Sequence, residues 1–432
     1  MTLPEPPGER SLKRKLGLWQ VTLSGIGVIL GAGVYALVGP ASLLAGNALW
    51  LAFLLAAVTA GLTAYSYARM GSMRPKNSPE FQYTSMAFGP RIGFIAGWLM
   101  VAADLLAAAA VALGFGGYLH HLAGTPLVAN ALALLVLIAI ILYAGVAESV
   151  GLAVVLTIVE AGGLLFVIAT GIPSLPGGEF LEMPRGFEGV WAAVSLIFFA
   201  YLGFDELGNF AEEMQQPERD LPRALFVAMA VSTAIYMLVA LTATAAVGWE
   251  RLSASDAPLA LVVGSVLGPK ADLALSLMAL AATSNTVLLL LVSASRSVYG
   301  MASAGVLPAG LARVGGRNVP VISTGLVLSI AGGLMLIGDL ARVASLTNAA
   351  ILSSFALTSL SLPWLWLQRR IPRRLLDIVL PSLGALACLW LLLNTGWQSM
   401  GVAALLAVVG LLVGGRGAST PSPDEGTKPS LP

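Results

Sequence analysis

The chain has 432 residues, of which 57% are hydrophobic and 10% charged, and its mean hydropathy is +0.88. A soluble globular chain carries about 25% charged residues, so water is not the main solvent here and a large soluble enzyme is excluded. The net charge of +1 speaks against a nucleic-acid partner.

The first sixteen residues are polar and basic and are expected to form a cytoplasmic segment. The long polar start does not fit a cleaved signal peptide, so the first apolar run reads as a retained helix. From there apolar runs long enough to cross a hydrocarbon core of ~30 Å recur with short polar breaks. Twelve are predicted, over 17–44, 47–69, 87–118, 126–146, 149–172, 188–212, 222–248, 271–299, 318–338, 342–367, 375–394 and 396–414. The last two are divided only by Asn394-Thr395-Gly396. The tail 415–432 is rich in Pro, Ser and Gly and is expected to be disordered.

Helix 1 contains LSGIGVILGAGVYALVGPAS, with Gly25, Gly27, Gly31, Gly33 and Gly39 in one span. Close helix packing through small residues is one explanation. The other is an opened helix, since glycine tolerates dihedrals that other residues avoid. A broken helix frees N–H and C=O groups that lipid cannot satisfy, and the start of the second half-helix points donors and a positive dipole at a carboxylate.

Helix 3 carries Asp104 and helix 5 carries Glu160, neither with a basic neighbour within a turn. Each can carry a proton, or stay protonated as a neutral structural donor. Helix 6 reads VSLIFFAYLGFDELGNFAEEMQQPERDLPRAL, in which Gly203 and Gly208 flank Asp205 and Glu206. Acids inside a span cost at least ~2.5–3.5 kcal/mol each and mark a functional interior, unless the span ends near Gly203 and they are interfacial. Opened carbonyls after Phe199 to Leu202 would accept from an ammonium group. In helix 8, Thr283 and Ser284 lie within a hydroxyl and amide cluster that serves either as glue between helices or as an ion or proton site.

Broken helices at positions 1 and 6 are what two five-helix halves of inverted topology produce, with helices 11 and 12 outside the repeat. With the N-terminus inside, nineteen of twenty-three Lys and Arg residues fall on the inner side, leaving Arg185, Arg251, Lys270 and Arg342 outside. Both termini are therefore expected to be cytoplasmic. The lone Cys388 reads as a buried small hydrophobe, and His120 and His121 close an apolar run. No metal or other cofactor is expected, and no Ser-His or paired His arrangement within the spans supports an intramembrane hydrolase.

Three stretches in order are similar to the amino acid–polyamine–organocation (APC) superfamily. They are GIGVILGAGVY at 25–35, FFAYLGFDELGNFAEEMQQPERDLPRAL at 198–225, and SRSVYGMASAGVLP at 295–308. The resemblance covers roughly 15–370. It implies an all-α, LeuT-type fold of 5+5 inverted repeats, 17–172 and 188–367, plus two C-terminal helices over 375–414. It also implies carriage of amino acids or related amines across the cytoplasmic membrane by proton symport or exchange, with H⁺ favoured over Na⁺. Residue by residue, it assigns the N–H groups around Gly31, Ala32 and Gly33 to a substrate carboxylate. The carbonyls of Ile29, Phe199, Ala200 and Leu202, just before Gly203, are assigned to the amino group. Phe199 falls at an aromatic gate, Asp205 at a proton-sensitive acid, and Asp104 on the stretch lining the side-chain pocket. The alternative function on the same scaffold is an amino-acid receptor that does not transport.

The sequence departs from the family at three places. Ala32 stands where a small hydroxyl residue is common. Glu160 stands where many proton-coupled members have a lysine. Ser78-Pro79-Glu80 replaces a glycine pair, a change expected to alter the inner loop without touching the site.

Overall fold

The computed structural model describes residues 16–73, 79–144, 150–303, 305, 307–315, 319–372 and 374–417. The expected N-terminal segment before Leu16, Ser78 and the tail beyond Gly417 lie outside the described residues. Among the described residues, ten helical stretches are long and apolar enough to cross a membrane. In chain order the α-helices are α1 (Leu18–Leu30), α2 (Gly33–Ala45), α3 (Leu49–Met73), α4 (Pro79–Phe88), α5 (Pro90–Ala123), α6 (Leu127–Ala144), α7 (Val150–Gly171) and α8 (Gly186–Ile197). There follow α9 (Pro217–Ser253), α10 (Pro258–Leu267), α11 (Pro269–Ser303), α12 (Val321–Met335), α13 (Leu340–Leu367), α14 (Leu376–Asn394) and α15 (Trp397–Gly417).

Hydropathy located the long helices, with the ends of α6, α7 and α14 within two residues and α5, α9 and α11 cut short. Helices α5 and α11 run 34 and 35 residues, about 50 Å of helix, and α9 spans 37 with a kink at Gly248; all three extend beyond the apolar run. Each begins with proline, whose fixed φ and missing N–H suit a first helical turn. Two helices escaped the sequence reading: α4 is too polar to register as a span, and α10 is only ten residues long. In the other direction, α12 has 15 residues where twenty-one were expected over 318–338.

Small residues set how closely the helices approach, because lipid offers no hydrophobic drive for helices to associate. Helix α5 is the hub of one group, packed against α6, α11 and α13, while α3 packs along α9 and α14, and α2 against α8. At one end of the bundle the buried Asp377, in the first turn of α14, holds α3. Its two carboxylate oxygens accept from Arg69 Nε at 3.2 Å, and Oδ1 also accepts from the Tyr65 hydroxyl at 2.8 Å.

Removing one partner of such a pair strands the other charge away from water. Arg69→Met is expected to cost about 3–5 kcal/mol, read as a lower thermal midpoint in detergent. The double variant Arg69→Met/Asp377→Leu should recover most of it. A single variant as stable as the parent would mean that the pair does not hold α14 in place.

Candidate functional site

The backbone leaves helical geometry at Gly31, where ψ is 178°, and resumes it at Gly33. Across the bundle α8 ends at Ile197 and is followed by a 3₁₀ turn over Phe198–Tyr201, an extended Leu202, Gly203 at φ +107°, and a second 3₁₀ stretch over Asp205–Glu213. Both expected breaks are therefore present, and they face each other. A Cβ on Gly33 would lie 2.9 Å from the Ala200 Cα, and one on Gly203 would lie 2.6 Å from Val28 Cγ1. Gly203 is also in the left-handed region that only glycine adopts without strain.

Both sequence explanations of the helix 1 glycines apply, at different positions. Gly25 and Gly27 are packing contacts: a Cβ there would meet Leu207 at 2.6 Å and Thr157 at 2.5 Å. Gly31 marks the opening itself.

Opened backbone needs partners, and the chain provides several that sequence reading missed. The Tyr236 hydroxyl, on α9 and fully buried, reaches the carbonyl oxygens of both Ile29 and Ala200, the latter at 3.0 Å. One phenolic hydrogen thus serves one carbonyl from each break. The amide of Asn348, on α13, donates to the carbonyls of Ser195 at 2.6 Å and Leu196 at 3.0 Å, in the last turn of α8. The Thr286 hydroxyl accepts from the Ala32 N–H at 3.3 Å, supplying a hydroxyl at the residue where Ala32 lacks one. Asp205 accepts from the Gly203 N–H at 3.0 Å.

Of the carbonyls assigned to an amino group, Ile29 and Ala200 receive Tyr236 and Phe199 receives the Leu202 N–H at 3.2 Å. A carbonyl oxygen has two lone pairs, so each retains capacity for a second donor. The Phe199 side chain is buried against Gly33.

The remaining candidates have other hydrogen-bond partners or none among the described residues. Asp104 accepts from the Ser293 hydroxyl of α11 at 3.2 Å. Thr283 and Ser284 each donate to a carbonyl of their own helix at 2.7 Å, Ala279 and Leu280 respectively. Glu160 is 1% exposed, and its Oε1 has no hydrogen-bond partner among the described residues. Its backbone carbonyl accepts from the Tyr35 hydroxyl at 2.6 Å, which ties α7 to α2. Among the described residues no group of His, Cys, Asp and Glu is arranged to hold a metal ion.

The start of the first broken helix and the end of the second are joined. Leu16, just before α1, donates its N–H to the Glu213 carbonyl and accepts from the Gln215 N–H, both at 3.0 Å.

A family model described as amino acid permease matches residues 16–420. The chain is 31% identical to a branched-chain amino acid permease of Bacillus subtilis over 438 residues, 94% of this chain and 93% of the relative. It is 28% identical to a methylthioribose transporter of the same organism over 442 residues, 96% and 94% of the two chains. Identity to a vacuolar cationic amino acid transporter of Arabidopsis thaliana is 29% over 378 residues, 81% of this chain and 62% of the relative.

Tyr236→Phe removes the donor shared by the two breaks and should cost about 1–3 kcal/mol, the penalty of an unpaired buried polar group. Gly203→Ala adds backbone strain of similar size, about 1–3 kcal/mol, besides the clash with Val28. Both are read as thermal midpoints in detergent. Midpoints equal to the parent's would mean that these contacts do not hold the breaks open.

Proposed function

The chain belongs to the amino acid permease family, a family of transporters rather than enzymes, and from that premise we propose that it carries amino acids or related amines across the cytoplasmic membrane by alternating access. The observation that carries this is the juxtaposition of the two breaks, with Gly33 against Ala200 and Tyr236 bridging Ile29 and Ala200. On this reading the N–H groups around Gly31, Ala32 and Gly33 take the substrate carboxylate at the start of α2. The carbonyls of Ile29, Phe199, Ala200 and Leu202, next to Gly203, take the amino group, with Tyr236 yielding part of its hold as the ammonium arrives. Phe199 closes over the site, and Asp104 borders the side-chain pocket.

The proposed topology has twelve crossings with both termini cytoplasmic. Counting α1 with α2 as one broken crossing, α3 as the next, and admitting the short α12 brings the ten long spans to twelve. Packing supports two inverted halves over 17–172 and 188–367, since α2 packs on α8, α3 on α9, α5 on α11 and α6 on α12. Each of these pairs joins helices five crossings apart. Residues 375–414 then add the two helices outside the repeat, flanked by cytoplasmic ends at 1–16 and 415–432.

For coupling we favour a proton over Na⁺. Glu160 is a buried carboxyl with an unpartnered oxygen, whereas Thr283 and Ser284 already bond within their own helix. The relatives are permeases and transporters, which lends the receptor alternative no support.

The test is uptake into proteoliposomes. Labelled L-leucine should enter under an inward proton gradient, with L-lysine and methylthioribose as competitors to grade the pocket. Binding without uptake or exchange under any ion gradient would overturn the proposal. Glu160→Gln should lower proton-driven uptake by about 5–150-fold, the usual size of a coupling between two sites, with substrate affinity little changed. Uptake that follows a sodium gradient and ignores pH would remove Glu160 from the coupling role.

A further inference from the structure

Glu80 stands where the sequence reading expected only an altered loop. It occupies the second position of α4, and its side chain is 7% exposed. Its Oε1 accepts from the Tyr67 hydroxyl of α3 at 2.7 Å. Tyr67 is itself fully buried, and its ring meets Tyr83, Phe204 and Phe355 edge-on at 6.0, 5.7 and 5.6 Å. Phe204 follows Gly203 in the break of helix 6. Pro79, one residue before Glu80, packs against the same segment, 3.3 Å from where a Cβ on Gly208 would lie. Two contacts, one polar and one apolar, thus join the start of α4 to the stretch Gly203–Gly208.

Among the described residues, the charges that bear on Glu80 are those of Asp205 and Glu206 in the helix 6 segment. Glu80 in turn bears on Asp104 of α5 and on the phenols of Tyr67 and Tyr83. The Tyr83 hydroxyl, fully buried, has no hydrogen-bond partner among the described residues, and Glu80 is the charge that bears on it. Burial, followed by the field of Asp205, pushes the Glu80 carboxyl up to about 8. Two carboxyls that share a buried site with little water do not both ionise without repulsion.

We propose that Glu80 is a proton-controlled positioning residue, acting with Asp205 to latch the segment Gly203–Glu213 against α3 and α4 and releasing it when both carboxyls are ionised. The function rests on the transporter reading above, in which that segment is the mobile inner half of helix 6. Protonated, Glu80 is a neutral acceptor for Tyr67 and the packing stays closed. On ionisation its proton passes to water on the inner side, the carboxylate repels Asp205, and separation of α4 from the segment relieves the repulsion. Leu16, bonded to Glu213 and Gln215, carries the movement to α1. Nothing in this chain of contacts involves Glu160, so the latch would be a second proton-dependent element beside it.

Hydrogen–deuterium exchange of amides 198–214 tests the latch without any substrate. The purified full-length protein and Glu80→Gln are compared at equal pH, at pH 6, 7 and 9, so that intrinsic exchange cancels. At pH 6 the two should match, since glutamine mimics the protonated acid. Between pH 7 and pH 9 the ratio of wild-type to variant exchange should rise about tenfold, following the ionised fraction of a group near 8. Tyr67→Phe removes a donor that favours the carboxylate, so its onset of faster exchange should move to higher pH. This variant keeps Glu80 and serves also if the glutamine variant does not fold. A ratio that stays flat with pH, or an onset unmoved in Tyr67→Phe, overturns the latch. Failure of leucine uptake with the exchange result intact would count against the permease reading instead.

Discussion

Backbone that leaves helical geometry inside a membrane must find partners within the protein, and that requirement organises the centre of this molecule. Two helices open at the same level, and the groups they free are met by side chains from three other helices. Tyr236 on α9 spans both breaks, Asn348 on α13 receives the end of α8, and Thr286 on α11 meets Ala32. None of these residues lies in a broken helix. The breaks are therefore a property of the bundle, and a glycine-rich segment alone would close back into helix or pack away.

On the transporter reading, the same requirement makes the proposed site economical in side chains. A substrate that carries both a carboxylate and an ammonium group offers the acceptors and donors that opened backbone lacks, so its recognition needs few charged residues. What it does need is that the protein's own partners be replaceable. A single phenolic hydrogen divided between the Ile29 and Ala200 carbonyls satisfies neither fully. Full satisfaction by fixed side chains would leave no driving force for a ligand to enter.

Sequence carried the large features because they are written in local chemistry. Apolar length gave the spans, glycine density and adjacent acids gave the two breaks at Gly31 and Gly203, and the loop after helix 6 gave the family. What it could not give are partnerships between residues far apart in the chain. Asn348 lies more than 150 positions from the carbonyls it caps, and in the sequence it is one polar residue in an apolar run. Thr286 lies two residues beyond Ser284 in the polar stretch of helix 8, and nothing in the sequence pairs it with Ala32. Glu80 read as a loop residue because α4 is short and polar; burial and Tyr67 give it weight, and both are properties of the fold. Helix ends slipped for a related reason, since hydropathy marks where lipid stops and the helices α5, α9 and α11 continue past it.

The acid at position 160 bears on the direction in which a proton would act. The family resemblance implies a lysine in the corresponding motif of many proton-coupled members, and a lysine is charged when it holds its proton and neutral when it has released it. A glutamate reverses this: proton-bound it is neutral and tolerates a dry interior, and proton-free it is charged and calls for water or a cation. Glu160 in this structure is enclosed, with an oxygen that no side chain answers among the described residues. Glu80 is enclosed too, with its Oε1 answered by the Tyr67 hydroxyl. On the proton-coupled reading both residues favour the closed, desolvated arrangement when protonated and the hydrated, opened one when ionised. A lysine in either place would favour the reverse, so substituting Lys for Glu160 would not restore a family feature but would invert the sign of its coupling.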